Sequence, residues 1–193
     1  RTALEVFGAE AASDRSTYRR RAKAINFGVM YGQSAFGLSK TLKIDKKEAQ
    51  SFIDGYFAQY QGVQTWIERT IQQARDEGYV STLFGRIRPI PEINSSNWNL
   101  RSFGERTAVN APIQGTAADI MKLSMIPVQK CLDDEGMKTK MLLQVHDELV
   151  FETPKEEMDA LKDLVFDEMP AAMDLDVTLK VDTKWGLNWG DME

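Results

Sequence analysis

Residues 19–32 read Arg19-Arg20-Arg21-Ala22-Lys23-Ala24-Ile25-Asn26-Phe27-Gly28-Val29-Met30-Tyr31-Gly32. Arg19, Lys23, Phe27 and Tyr31 recur every four residues. On a helix of about 3.6 residues per turn they share one slowly drifting face. That face opens with two cations and closes with two aromatic rings. At about 1.5 Å of rise per residue it reaches roughly 18 Å. An elongated ligand with an anionic end and a flat end suits it, and a nucleoside triphosphate is one. A cationic amphipathic helix with buried aromatics is the plainer reading of the same spacing.

The rest of the chain sets the context. Its 193 residues suit one large or two small domains. A composition 42% hydrophobic and 27% charged is that of an ordinary globular protein. No apolar run approaches the ~20 residues that span a bilayer, and no charged-then-apolar signal segment is visible, so no membrane partner is expected. The single cysteine, Cys131, excludes an internal disulfide framework and a cysteine-based zinc cluster. A reducing, cytoplasmic setting is the expectation. The net charge of −5 argues alone against nucleic acid, but its distribution does not. Residues 1–47 hold ten Lys and Arg against four Asp and Glu, a balance of +6. Residues 133–193 hold six against seventeen, a balance of −11. A phosphate site in the first part and a cation site in the last would need such a division.

Periodicity and breakers predict the elements. Thr2–Phe7 reads as the tail of a helix closed by Gly8, and a second helix covers about 16–30. Asp45 followed by Glu48 has capping-box spacing and starts a helix over 46–60. Val63, Trp66, Ile67, Ile71 and Ala74 mark another, ending at Gly78. Tyr79–Leu83, a turn at Phe84-Gly85-Arg86 and Ile87–Ile90 form a hairpin. A short helix through Arg106 and a separate long one from about Pro112 to Leu132 follow. Lys138–Val145 and Leu149–Thr153 pair as strands around His146-Asp147-Glu148. Lys155–Met169 is a helix with Pro154 before it. Leu175–Val181 alternates as a half-buried strand. The result is an α+β chain, mostly helical in its first half, with a seam near residues 93–100.

Two further constellations carry chemistry. In Gln144-Val145-His146-Asp147-Glu148-Leu149 three polar residues separate apolar strands. A tight hairpin ordinarily prefers Asn-Gly or Asp-Gly, so turn chemistry does not account for His-Asp-Glu. A carboxylate on the tip of a rigid hairpin is well placed for Mg²⁺, which takes one or two carboxylates plus substrate phosphates. A polar turn with no ligand is the alternative. Upstream, Arg106, Asn110 and Gln114 fall at i, i+4 and i+8. One cation and two amides on one surface can contact a phosphate and the minor-groove acceptors, which are nearly the same for every base pair. A solvated polar face is again the plainer reading.

Together these strings resemble the family A DNA polymerases, and their bacterial members in particular. Arg19-x3-Lys23-x3-Phe27-x3-Tyr31-Gly32 resembles motif B of the fingers helix. Residues 105–119 are similar to the palm helix that binds template and primer. Residues 144–152 resemble motif C, and Trp185-Gly186-Leu187-Asn188-Trp189 is similar to the family's C-terminal ending. The resemblance implies a mostly helical fingers subdomain over 1–95. A partial palm over 96–193 would carry a short antiparallel sheet with the motif C hairpin. It implies a DNA-directed DNA polymerase, a nucleotidyltransferase of DNA replication and repair, with primer–template DNA and deoxynucleoside triphosphates (dNTPs) as partners.

By the same resemblance Arg19, Lys23, Phe27 and Tyr31 bind the dNTP, and Lys23 also donates a proton to pyrophosphate. Arg106, Asn110, Gln114 and His146 bind DNA. Asp147 is the catalytic metal ligand, assisted by Glu148, for a pair of Mg²⁺ ions. The family's motif A, source of a second carboxylate ligand, is not in the sequence. The expectation is therefore a chain inactive alone that needs an N-terminal palm and thumb part as partner. An unpaired sheet edge and exposed apolar surface should result. A non-catalytic DNA- or nucleotide-binding module and a plain helical interaction domain are the alternatives.

Overall fold

The computed structural model describes residues 15–192 of the chain. The helix expected at Thr2–Phe7 lies outside them. The chain divides into two compact units, Arg1–Gln114 and Gly115–Glu193.

The first unit begins with α1 (Arg15–Met30), α2 (Ala35–Leu42), α3 (Lys46–Gln59) and α4 (Gln61–Glu77). Each boundary has a local cause. Helix α1 stops in a Schellman motif: Gly32 N–H donates to the Val29 carbonyl and Gln33 N–H to that of Gly28. Ser34 caps α2. Asp45 caps α3 by accepting from the amides of Lys47 and Glu48 at 2.6 and 2.9 Å, as its spacing predicts. Helix α4 ends at Gly78, whose φ of 78° only glycine adopts cheaply. The short helix α2 has no counterpart in the sequence reading. Its eight residues are too few for a periodic pattern to stand out.

One core packs α1 on α2 and α3 through Ile25, Val29, Ala35, Leu38, Ala49 and Tyr56. A second joins Ala74, Val80, Ile90, Ile93 and Ala108. Strands β1 (Tyr79–Ser81) and β2 (Ile87–Pro89) pair antiparallel with Tyr79 opposite Pro89.

Helix α5 runs unbroken from Trp98 to Asp134, 37 residues. The break expected between a short helix ending at Arg106 and a long one starting at about Pro112 is absent. An interior proline removes a hydrogen bond and crowds the preceding turn, at about 3 kcal/mol. Here buried side chains on both sides of it, Ala108 and Val109 before and Thr116, Asp119, Val128 and Leu132 after, hold the helical course.

The second unit packs the end of α5 on α6 (Met158–Glu168) through Val128, Leu132, Leu161, Leu164 and Val165. Strands β3 (Lys140–Val145) and β4 (Glu148–Glu152) form a two-stranded antiparallel sheet, irregular between Met141 and Leu143. Beside β3 lies an open groove of about 510 Å³ lined by Met125, Ile126, Gln129, Leu142 and Leu143 among others. Leu142 and Leu143 are each half exposed. Leu175–Val181 is not a strand, contrary to expectation. Val181 does pack against the core. No strand among the described residues pairs with the segment, and an extended backbone needs a neighbour to satisfy its hydrogen bonds. Among the described residues no helix is long and apolar enough to cross a membrane.

Candidate functional site

Helix α1 divides its surface between core and solvent. Ala22, Ile25 and Val29 are buried. At about 100° per residue, Lys23 and Phe27 lie on the opposite side from Ile25. Arg19 and Lys23 are exposed, and Phe27 is 46% exposed. The Phe27 and Tyr31 rings stack with centroids 6.0 Å apart and planes 30° from parallel. The Lys23 ammonium stands 5.6 Å from the Phe27 centroid. A cation above a ring, with a second ring behind it, is therefore a continuous feature of one helix face. The alternative of buried aromatics does not describe Phe27.

The end of α1 meets α5. Gly32 has a φ of +69°, and a Cβ there would stand 3.3 Å from Arg106 Cγ. Glycine thus serves both the turn and the close approach. Arg106, from a different sequence string, lies against Gly32 just past the end of α1. Its guanidinium donates to Ser102 Oγ at 2.9 Å. One turn on, Asn110 Oδ1 is buried without a hydrogen-bond partner among the described residues. Such an acceptor calls for a donor, because leaving it unpaired costs about 1–3 kcal/mol. Gln114 follows on the same side of α5 and is exposed.

The second unit holds His146, Asp147 and Glu148 at the tip of the β3–β4 hairpin. Val145 pairs with Glu148, leaving a two-residue loop. His146 has a φ of 53°; among the described residues only it and Lys43 are non-glycine with positive φ. The left-handed region costs an ordinary residue roughly 1–2 kcal/mol, so the tip is held against its own preference. Gln144 steadies it, its Nε2 donating to the His146 carbonyl at 2.6 Å. Asp147 and Glu148 are exposed, and among the described residues their side chains take part in no hydrogen bond or ion pair. No three His, Cys, Asp or Glu side chains among those residues are grouped so as to hold a metal ion.

The hairpin root carries a contact that sequence reading missed. The Glu157 carboxylate accepts from Lys138 N–H at 2.9 Å, Thr139 N–H at 2.8 Å and Thr139 O–H at 2.7 Å. Thr139 Oγ1 and Thr153 Oγ1 lie 2.6 Å apart. The Lys138 amide first, then the Thr139 hydroxyl, hold the Glu157 carboxyl below the ordinary value of 4.5. No sequence signal marks this contact, because its partners are eighteen or more residues apart.

The family model for DNA polymerase family A matches residues 1–191. DNA polymerase I of Streptococcus pneumoniae is 51% identical over 189 residues, 97% of this chain and 22% of that protein. DNA polymerase I of Bacillus subtilis is 51% identical over 191 residues, 99% of this chain and again 22% of the relative. The chain thus spans about a fifth of the length of these relatives. Among solved structures, the POL domain of Pol1 from M. smegmatis, in complex with DNA primer-template and dNTP, aligns with a TM-score of 0.88 and 44% identity. That match covers 93% of this chain and 32% of the other. With a family model matching nearly its whole length, the chain belongs to DNA polymerase family A.

Proposed function

We propose that this chain supplies the fingers and part of the palm of a DNA-directed DNA polymerase, with fingers over 1–95 and partial palm over 96–193. The observation that carries this is the α1 face, where Lys23 stands over the stacked Phe27 and Tyr31 rings. Its dimensions and chemistry match a dNTP, the ligand named for the M. smegmatis neighbour.

In the reaction the primer 3′-OH loses its proton and attacks the α-phosphorus. A new P–O bond forms, the bond to the bridging oxygen breaks, and pyrophosphate leaves. Arg19 and Lys23 bind the triphosphate and offset the charge that gathers on the leaving group. Lys23 then gives that group a proton. Phe27 flanks base and sugar, and Tyr31 the template side of the new pair. Arg106, Asn110 and Gln114 hold the duplex through phosphate and minor-groove contacts. His146 lies beside the primer terminus.

Asp147 and Glu148 fit Mg²⁺ chemically: both are hard oxygen donors, exposed and unspent on protein partners. Bound there, Mg²⁺ supplies Lewis-acid stabilisation of the phosphoryl oxygens. Glu148 plays a secondary part, so the second carboxylate needed to bridge a pair of ions beside Asp147 comes from a palm segment outside this sequence.

The test is Mg²⁺-dependent primer extension by the chain alone and mixed with the polypeptide that precedes the matched region in the B. subtilis relative. Extension by the mixture, abolished by Asp147→Ala, supports the reading. Extension by the chain alone overturns the need for a second carboxylate donor. Salt-dependent DNA binding with no extension in either sample leaves a binding module instead.

A further inference from the structure

We propose that Tyr56, buried in the core beneath α1, is a positioning residue that sets the rotation of α1 and so the aim of its nucleotide face. This inference rests on the reading of Arg19, Lys23, Phe27 and Tyr31 given above.

Tyr56 stands on α3 and is 3% exposed. Its hydroxyl donates to Asn26 Oδ1 on α1 at 2.9 Å, joining residues thirty apart in sequence. Its ring packs within the core that holds Ile25, Val29 and Leu38, and lies 4.9 Å from the Tyr60 ring. Burial, then the neighbouring Tyr60, pushes the phenol above its ordinary 10.0. The hydroxyl therefore keeps its proton and its donor role throughout the neutral range.

The place of Asn26 on α1 gives the bond its meaning. Counted at about 100° per residue, the buried face is centred near Ile25 and Val29, and Lys23 and Phe27 lie opposite. Asn26 sits about 100° from Ile25, on the border between those faces and about 20° from Arg19. Apolar packing is non-directional and tolerates small rotations of a helix on its core. A hydrogen bond at the border does not, because it weakens steeply with angle. At a radius of about 5–6 Å for side-chain tips, a 10° turn of α1 moves the Lys23 and Phe27 groups by roughly 1 Å. Misplacement on that scale is what reacting groups do not tolerate.

Tyr56→Phe removes the hydroxyl and keeps the ring. The measurement is the Kd of dATP with Mg²⁺ for the 193-residue chain, by titration calorimetry well below the melting temperature. Wild type, Arg19→Ala, Tyr56→Phe, Asn26→Ala and the Asn26→Ala/Tyr56→Phe double variant are compared. Loss of one directional bond is expected to weaken dATP about fivefold in each Asn26 or Tyr56 single variant. The double variant should be no weaker than either single, because both remove the same bond. If Tyr56→Phe fails to fold, Asn26→Ala carries the comparison, since Asn26 is only partly buried.

A lower melting temperature with unchanged dATP affinity would make the bond merely structural and overturn the proposal. Additive losses in the double variant would overturn it as well. If wild type binds dATP no better than Arg19→Ala, the nucleotide reading of α1 fails and the inference falls with it. Binding that responds to Arg19→Ala but not to Tyr56→Phe or Asn26→Ala defeats the inference alone.

Discussion

Helix α1 and the β3–β4 hairpin both carry candidate site residues, and they hold them by opposite means. On α1 the ligand-facing groups stand on the far side of a helix whose other side is core. Regular hydrogen bonds and the burial of Ile25 and Val29 fix the backbone, and no strain is involved. At the hairpin tip the backbone itself departs from its preference, with His146 at a φ of 53°. The tip is steadied by Gln144 next to it and by the Glu157 contacts at the root. A helix presents a long row of groups to an extended ligand. A strained two-residue loop sets Asp147 at an exposed tip, with the exposed Glu148 next to it at the start of β4. Non-glycine residues at positive φ tend to occur at functional sites, where surrounding structure maintains them.

Substitutions can break or sharpen this contrast. The largest effect is expected from Asp147→Ala in the extension assay above: a loss of about a thousandfold or more, in line with several kcal/mol of metal-borne charge stabilisation. Because Asp147 is exposed, urea unfolding should be nearly unchanged. Concerted loss of stability and activity would show that the tip is structural.

Core truncation tests the frame behind each site. Leu38→Ala, under α1, should lower stability by about 2–5 kcal/mol and weaken dATP with it. Leu38 is 1% exposed, so its loss leaves a cavity. An unfolding midpoint shifted by less than about 0.5 kcal/mol would mean that α1 is not held by this core.

Arg19→Ala and Lys23→Ala should each weaken dATP by about 10–100-fold, the loss of a charge-assisted hydrogen bond, and reduce the salt dependence of binding. Calorimetry at two salt concentrations reads both.

His146→Gly should raise stability slightly, by about 0.5 kcal/mol: about 1–2 kcal/mol of left-handed cost disappears while glycine adds about 0.5–1 kcal/mol of chain entropy. A clear loss of stability would mean that the His146 side chain, and not its backbone, holds the tip.

The smallest effect concerns pH. A carboxylate whose folded pKa is depressed contributes stability above its unfolded value and loses it as pH falls through the folded one. Glu157 is such a group, held below 4.5 by the Lys138 amide and the Thr139 hydroxyl. Wild type should therefore exceed Glu157→Gln in urea unfolding at neutral pH, and the gap should close as pH drops below 4.5. A gap independent of pH would remove the Glu157 charge from the account.

Much of this was legible in the sequence, for a reason that varies by element. The four-residue spacing of Arg19, Lys23, Phe27 and Tyr31 fixes one helix face whatever surrounds it, because helical geometry is local. The Asp45 cap, the stop at Gly78 and the strands around His146 follow from equally local rules. Periodicity could not show that Pro112 sits inside an unbroken helix, since burial on both sides decides that. Nor could it show that Leu175–Val181 stays out of a sheet, since a strand depends on a neighbour.

What the sequence by itself determined is which residues share a face and which stand at a turn, because short-range backbone geometry and residue type suffice. What only the tertiary structure decided is how those faces are aimed. Arg106 meets the end of α1 through Gly32, Tyr56 reaches Asn26 across two helices, and Glu157 clasps Thr139. Each is a contact between residues far apart in the chain, set by three-dimensional packing that no local spacing encodes.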